Sequence, residues 1–320
     1  MHELAKIAVV IVNYRTPELV KECLASLAPA AKALDVSVFV GDAASGDGSV
    51  EAIQSFIARE GLTWARCFAI GCNRGFAYGN NAIVERCVLP DPGFSHVWFL
   101  NPDTYVRPGA LEALVSFLAT HPEAGIAGSR LEDPDGTPRS FGFRAPRPWR
   151  EFFRGARLGV LDRLVPQAAV KIEDLRSSRR VDWVTGASFM VRREVLDRIG
   201  LMDAGYFLYF EETDLMTRAC AAGYEVWHVA DSHVVHLAGQ ATGVRTGRQE
   251  QGPEPLSDIW LASRRRYMRK HFGRFGPARA NLFFLAGDLV YRAHRRLRGR
   301  MIHDPPRMWR AYLSVRGEDG

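Results

Sequence analysis

Ile7-Ala8-Val9-Val10-Ile11-Val12-Asn13 decides the fold. An unbroken apolar run rich in β-branched side chains has no polar face, so it reads as a strand buried on both sides, as in the middle of a parallel sheet. The run ends at the polar Asn13. Pro17 then suits the first turn of a helix, and Leu19, Val20, Cys23, Leu24 and Leu27 recur at helical spacing. A second strand, Val36 to Val40, runs into Asp42, and Ser45-Gly46-Asp47-Gly48-Ser49 is a turn with good helix-capping residues. Strand followed by helix followed by strand predicts an α/β fold built on a parallel sheet.

The alternation continues outward. Cys67 to Ile70 reads as a short strand, Asn73 to Asn80 as a glycine-bearing loop that opens a helix, and His96 to Leu100 as a strand ending in Asn101-Pro102-Asp103. Ligands of such sheets gather beyond the carboxyl ends of the strands. Asn13, Asp42 and Asp103 all sit at such ends, which points to one shared pocket. Residues 130 to 180, with four prolines early and basic residues late, read as a surface excursion. A strand-like stretch from Val181 to Val191 follows, then a helix over Arg193 to Ile199. Beyond that the pattern gives a helix through Arg218 to Ala222 with a Gly223 cap, a strand near Glu225 to Val229, and His233-Val234-Val235-His236. The polar stretch Val244 to Pro255 marks a boundary between residues 1–245 and a basic helical region, 246–320.

The 320 residues suffice for one large domain and an appendage. No uncharged apolar run reaches the roughly 18 residues of a membrane-spanning helix, and the N-terminus lacks the sections of a signal peptide, so the expected location is cytoplasmic. Five cysteines, an odd number without a C-x-x-C pair, support neither a disulfide framework nor a zinc knuckle. The net charge is +6, yet twelve Lys or Arg against Asp288 alone lie between Arg264 and Arg300. No nucleic-acid-binding motif accompanies them, so nucleic acid is not an expected partner.

Chemistry is expected first at Glu211, Glu212 and Asp214, which directly follow the aromatic run Tyr206-Phe207-Leu208-Tyr209-Phe210. Burial and a neighbouring like charge both raise a carboxylate pKa, so the cluster needs a cation, hydrogen-bond donors, or a proton-transfer role. Asn101-Pro102-Asp103-Thr104 offers a carboxylate that could help hold a hard cation together with substrate phosphates, or a simple turn with a capping Asp. His236 closes a strand ahead of Gly239-Gln240-Ala241-Thr242-Gly243 and reads as a metal ligand or a core histidine, whereas His233 reads as structural. In Asn73 to Asn81, two glycines and several polar groups at a helix start suit close approach by an anion, or tight packing.

In this order the motifs resemble the family 2 glycosyltransferases of the GT-A fold, and among them bacterial rhamnosyltransferase-like enzymes that extend lipid-linked or cell-surface glycans. The resemblance runs from Ile7 to Thr242 and includes Val12-Asn13-Tyr14, Asp42 with Gly46 to Ser49, Asn73 to Asn81, Leu100 to Thr104, Trp183-Val184-Thr185-Gly186-Ala187, Phe207 to Leu215 and Val235-His236. It implies a Rossmann-like, mainly parallel twisted sheet flanked by helices, with a C-terminal helical extension. It implies that Asn13 and Tyr14 line the base and ribose pocket, that Asp42 contacts the base, and that Asn73, Gly75, Asn80, Asn101, Trp183 and Gly186 bind the donor. Asp103 would be the surviving aspartate of a D-x-D metal motif, completed by His236, with Mg2+ or Mn2+ as cofactor. Glu212 takes the position of the catalytic base, with Asp214 in support or at the acceptor and Glu211 in reserve. Two departures stand out: Ala43 replaces the usual asparagine, and Glu212 a more frequent aspartate.

The implied reaction is inverting transfer of rhamnose or a related deoxysugar from a dTDP- or UDP-linked donor to a glycan or polyprenyl-linked glycan. A sugar nucleotidyltransferase and a non-catalytic, anionic-surface-binding protein of the same fold are the alternatives. Leu282, Leu285, Leu289 and Leu297 recur at helical spacing with Arg292, Arg295 and Arg298 between them. Residues 264–300 therefore read either as a helix lying on the inner face of the plasma membrane or as one packed on the catalytic domain. Homo-oligomerisation is left open.

Overall fold

The structure, a computed structural model, describes residues 5–139, 142–159, 164–172, 176–237, 258–302 and 308–313. The loop expected over 239–243, the boundary segment 244–255 and the last residues of the resemblance lie outside them. Two units emerge from the packing: residues 1–143, 172–207 and 211–246 form the first, and 144–171, 208–210 and 247–320 the second.

The first unit opens with β1 (Lys6–Asn13), whose residues Ile7 to Ile11 are fully buried, as the unbroken apolar run requires. Helix α1 (Pro17–Ala33) follows, with proline in its first turn and Val20, Cys23, Leu24 and Leu27 inward. Then come β2 (Val36–Asp42), α2 (Ser49–Arg59), β3 (Ala65–Ala69) and α3 (Phe76–Ile83), which runs on as a π-helical turn, Val84–Val88. β4 (Phe94–Leu100), β5 (Thr104–Val106), α4 (Ala110–Thr120), β6 (Ala124–Glu132) and β7 (Gly142–Phe143) complete the first half.

Next are α5 (Arg150–Ala156), β8 (Lys171–Ile172), β9 (Arg179–Val181), β10 (Trp183–Val184) and β11 (Ser188–Arg192). They lead to α6 (Arg193–Ile199), α7 (Glu211–Ala221) and β12 (Glu225–His236). Three helices end the described chain: α8 (Asp258–Phe272), α9 (Gly276–Leu297) and α10 (Met308–Leu313).

The main sheet runs β3-β2-β1-β4-β11-β6-β12-β5, with β9 also pairing to β12. Its β3-β2-β1-β4 half is parallel, in keeping with the expectation. Beyond β4 the sheet is mixed, because β11 lies antiparallel to both β4 and β6. The single strand expected over Val181 to Val191 is broken into three: the chain leaves β10 at Thr185, whose hydroxyl accepts the Ala187 N–H in a local turn. Apolar layers cover both faces, one built on Ile7, Val9, Ile11 and Trp98, the other on Ala8, Val10, Phe99 and Phe189.

The second unit corrects the reading of residues 130 to 180 as a plain excursion. Helix α5 packs on α9 so closely that a Cβ on Gly155 would stand 2.2 Å from the Phe284 carbonyl oxygen, and one on Gly287 2.0 Å from that of Phe152. Only glycine permits this approach. Glu151 on α5 is buried and accepts a 2.8 Å hydrogen bond from Arg264 on α8, itself 3% exposed. Arg264 also donates to Asn281, whose amide donates to the Tyr312 carbonyl. Asp288, wholly buried, accepts from Arg157, Arg292 and the Trp309 indole. Buried charges with full sets of donors thus join the four helices. Among the described residues, no helix is long and apolar enough to cross a membrane.

Candidate active site

Every residue singled out for chemistry falls in the first unit. β1 and β2 run in parallel register with Asn13 opposite Asp42, so the two polar residues leave the sheet together. The Asn13 amide donates to Asp42 Oδ2 at 2.6 Å, and its oxygen accepts from the Thr16 N–H and hydroxyl. Asp42 accepts in addition from the Ser45 N–H and hydroxyl. Both carboxylate oxygens of Asp42 are therefore engaged within the protein, and Asn13 and Asp42 are almost entirely buried. Tyr14 carries the exposed ring at this end, with the Arg15 guanidinium 5.2 Å from its centroid. Ser45, read from sequence only as part of a turn, and Thr16 belong to the same cluster.

The Asn101-Pro102-Asp103 turn takes the chain from β4 to β5, and β5 pairs with the last residues of β12, His236 opposite Thr104. The Asp103 carbonyl accepts the Leu237 N–H. This pairing carries His236 Nε2 to 3.2 Å from Asp103 Oδ1 and 3.5 Å from the Asn101 side-chain nitrogen. Asp103 Oδ1 is close to the imidazole without being aligned for a hydrogen bond, and it is buried without a partner, as is Asn101 Oδ1. A carboxylate oxygen and an imidazole nitrogen 3.2 Å apart, beside an asparagine side chain whose own oxygen is unpartnered, suit a divalent cation. Among the described residues there is no group of three His, Cys, Asp or Glu that could hold a metal alone. A site of this kind is completed by the phosphates of a substrate. His233, three residues earlier, instead meets Glu132 at 3.2 Å.

From Asn101 the path to the acidic helix is short. The Asn101 N–H donates to the Ala187 carbonyl at 2.9 Å, and Gly186, next in the chain, lies so that its Cβ position is 4.0 Å from Glu212 Cβ and 3.5 Å from the Phe76 ring. Trp183 stacks on Phe143, with ring centroids 4.2 Å apart. Helix α7 begins immediately after Tyr209 and Phe210, two non-glycine residues with φ near +70°. Such residues are strained, and strain of this kind concentrates at functional sites.

The first turn of α7 holds Glu211, Glu212 and Asp214. Burial raises the Glu212 carboxyl to about 7, against the pull of backbone N–H groups at the helix start. Glu211 is raised well above its ordinary value by burial and by Glu212 beside it. Each keeps one buried oxygen without a partner. Asp214 differs: Arg218 donates to it at 2.9 Å and also to the carbonyls of Ile199 and Leu201, so Asp214 is tied into the structure.

The 73–81 loop is bound to this same region. The Phe76 N–H donates to the Phe207 carbonyl at 2.8 Å, and a Cβ on Gly75, whose φ is +95°, would stand 2.0 Å from that oxygen. Gly75 thus serves close approach by the protein's own backbone. Asn81 donates to the Met202 carbonyl and accepts its N–H, at 2.7 and 3.1 Å. Asn73 caps Gly75, and the Asn80 amide donates to the Phe76 carbonyl. A cavity of about 390 Å3 lined by Lys6, Trp64, Arg66, Arg86 and Asp91 lies instead where β1, β2 and β4 begin, away from these groups.

The family described as "Glycosyltransferase like family 2" matches residues 5–251. The chain belongs to glycosyltransferase family 2. It is thus a glycosyltransferase, which removes the nucleotidyltransferase and non-catalytic alternatives. The N-acetylglucosaminyl-diphospho-decaprenol L-rhamnosyltransferase of Mycobacterium tuberculosis is 30% identical over 302 residues, 91% of this chain and 92% of the relative. Rhamnosyltransferase WbbL of Escherichia coli is 26% identical over 51% of this chain and 61% of its own. Among solved structures, the mannosyltransferase PcManGT from Pyrobaculum calidifontis, in complex with GDP-Man and Mn2+, aligns with a TM-score of 0.55 at 16% identity, covering 94% of this chain and 77% of that one. GalNAc-T7 with UDP, GalNAc and Mn2+ aligns at 0.58 and 13% identity, covering 98% and 55%. The glycosyltransferase has the GT-A fold expected from its motifs.

Proposed function

We propose that the protein is an inverting, metal-dependent glycosyltransferase that moves rhamnose or a related deoxysugar from a dTDP- or UDP-linked donor to a hydroxyl of a polyprenyl-linked glycan. One observation carries this reading. A continuous set of neighbouring residues runs from Asp103 and His236 through Asn101, Ala187 and Gly186 to Glu212, with unpartnered carboxylate oxygens at both ends. The mycobacterial relative's substrate, named as a diphospho-decaprenol, supports the acceptor class, and its L-rhamnosyl group the sugar.

Asp103 and His236, with Asn101 beside them, would hold Mg2+ or Mn2+, and both structural neighbours hold Mn2+. The cation, when bound, supplies positive charge to the departing diphosphate. Across the site, Glu212 Oε2 accepts the proton of the acceptor hydroxyl as its oxygen forms the new bond to the anomeric carbon. The bond from that carbon to the phosphate oxygen breaks, its electron pair leaving with the nucleoside diphosphate. One displacement from the opposite face inverts the centre. Asp214 holds Arg218, which fixes the chain leading to α7, and Glu211 keeps a second raised carboxyl beside the base. Peripheral attachment to the inner membrane surface fits an acceptor with a lipid anchor.

Glu212→Gln tests the assignment. Turnover should fall by about two to four orders of magnitude, the range of a positioned base, while the Mn2+-dependent rise in melting temperature caused by a nucleotide-sugar is retained. Asp103→Ala should lose that rise. Loss of the donor's thermal shift in Glu212→Gln as well would make Glu212 a binding group instead.

A further inference from the structure

Helix α9 has one covered face and one bare face. Pro277, Ala280, Asn281, Phe284, Gly287 and Asp288 are buried, and at 100° per residue they fall on one side, where the close contacts with α5 and the donors to Asp288 are made. Leu285, expected among the outward leucines, is partly buried against the cluster of Phe284, Met308 and Tyr312. The opposite side exposes Leu282 at 68%, Leu289 at 55%, Val290 at 40% and Leu297 at 90%, with Phe283 alongside and Phe275 just ahead of the helix. These positions span an arc of roughly 120°. Apart from Arg279 near its start, it is apolar along the helix.

Charge distinguishes the partner. Arg274, Arg279, Arg296, Arg298 and Arg300 are exposed along or beside this arc. Of the described acidic residues in the second unit, Glu151 and Asp288 are buried in ion pairs, and only Asp258 is exposed. A protein partner's apolar face would not require such a one-signed rim. A bilayer carrying anionic headgroups matches both features, because leucine and phenylalanine enter the acyl boundary while arginine stems extend their charges to the phosphates.

We infer that the outer face of α9, centred on Leu282, Leu289 and Leu297, lies flat on an anionic lipid surface. The inference rests on the lipid-linked-acceptor reading for its purpose, but its test uses no turnover. The full chain would be sedimented with vesicles of phosphatidylcholine, with and without phosphatidylglycerol, at low and high salt. Expected are binding to the anionic vesicles, weakening with salt, and a loss of roughly tenfold or more in Leu282→Glu/Leu289→Glu, as follows from denying two leucines an apolar environment. The double variant should keep the wild-type melting temperature and the nucleotide-sugar thermal shift, since both leucines are exposed. Three results would overturn the inference: no binding by the wild type, equal binding by the variant, or a wild-type dimer that the variant converts to monomer, which would make the face a contact between copies of this chain.

Discussion

Glu212 is both the most exposed to test and the most informative single residue. Because it must be deprotonated to accept a proton, kcat/KM should rise with pH through about 7, the value to which burial carries it. Stability moves the other way. A carboxyl whose pKa is raised above its ordinary 4.5 on folding favours the folded chain while protonated. That contribution is complete below 4.5 and is lost as pH climbs through about 7. A kcat/KM profile flat through neutrality would remove Glu212 as the base. The acidic cluster was legible in sequence because three carboxylates beside an aromatic run demand a reason. The different standing of Asp214 was less so, although its partner Arg218 stands at the i,i+4 spacing of a helical ion pair. Ser45 reads from sequence only as part of a turn, because its place beside Asn13 depends on the register of two strands.

Among elements, α3 and α7 are linked through the segment between α6 and α7. Asn81 grips Met202 from one side, and Arg218, held by Asp214, grips Ile199 and Leu201 from the other. Asn81→Ala should therefore cost about 1–3 kcal/mol, from two hydrogen bonds of about 0.5–1.5 kcal/mol each. It should also lower kcat more than it raises the KM for donor, because what loosens is the approach to the base. A change in donor KM alone would assign Asn81 to the donor instead. The parallel strands and their helices were readable from apolar runs and 3.6-residue periodicity. The reversal of β11 was not, since a buried strand reads the same in either direction.

At the scale of the whole molecule, the composition change near residue 245 sets apart a basic C-terminal stretch, whose described helices run from Asp258. It could not show that residues 144–171 join them, because the bonds responsible connect side chains 113 positions apart. Glu151→Gln leaves the buried Arg264 without its counter-charge and should destabilise the protein by about 3–5 kcal/mol. Urea denaturation would measure this, and an unchanged midpoint would show that the pair contributes nothing. The chain crosses between the two units five times, after residues 143, 171, 207, 210 and 246. No single cut can divide them. A truncation at residue 246 would strip α5 of its covering helix and bare the Gly155 side, and a chimera that grafted on another enzyme's tail at that point would have to bring a matching α5 with it.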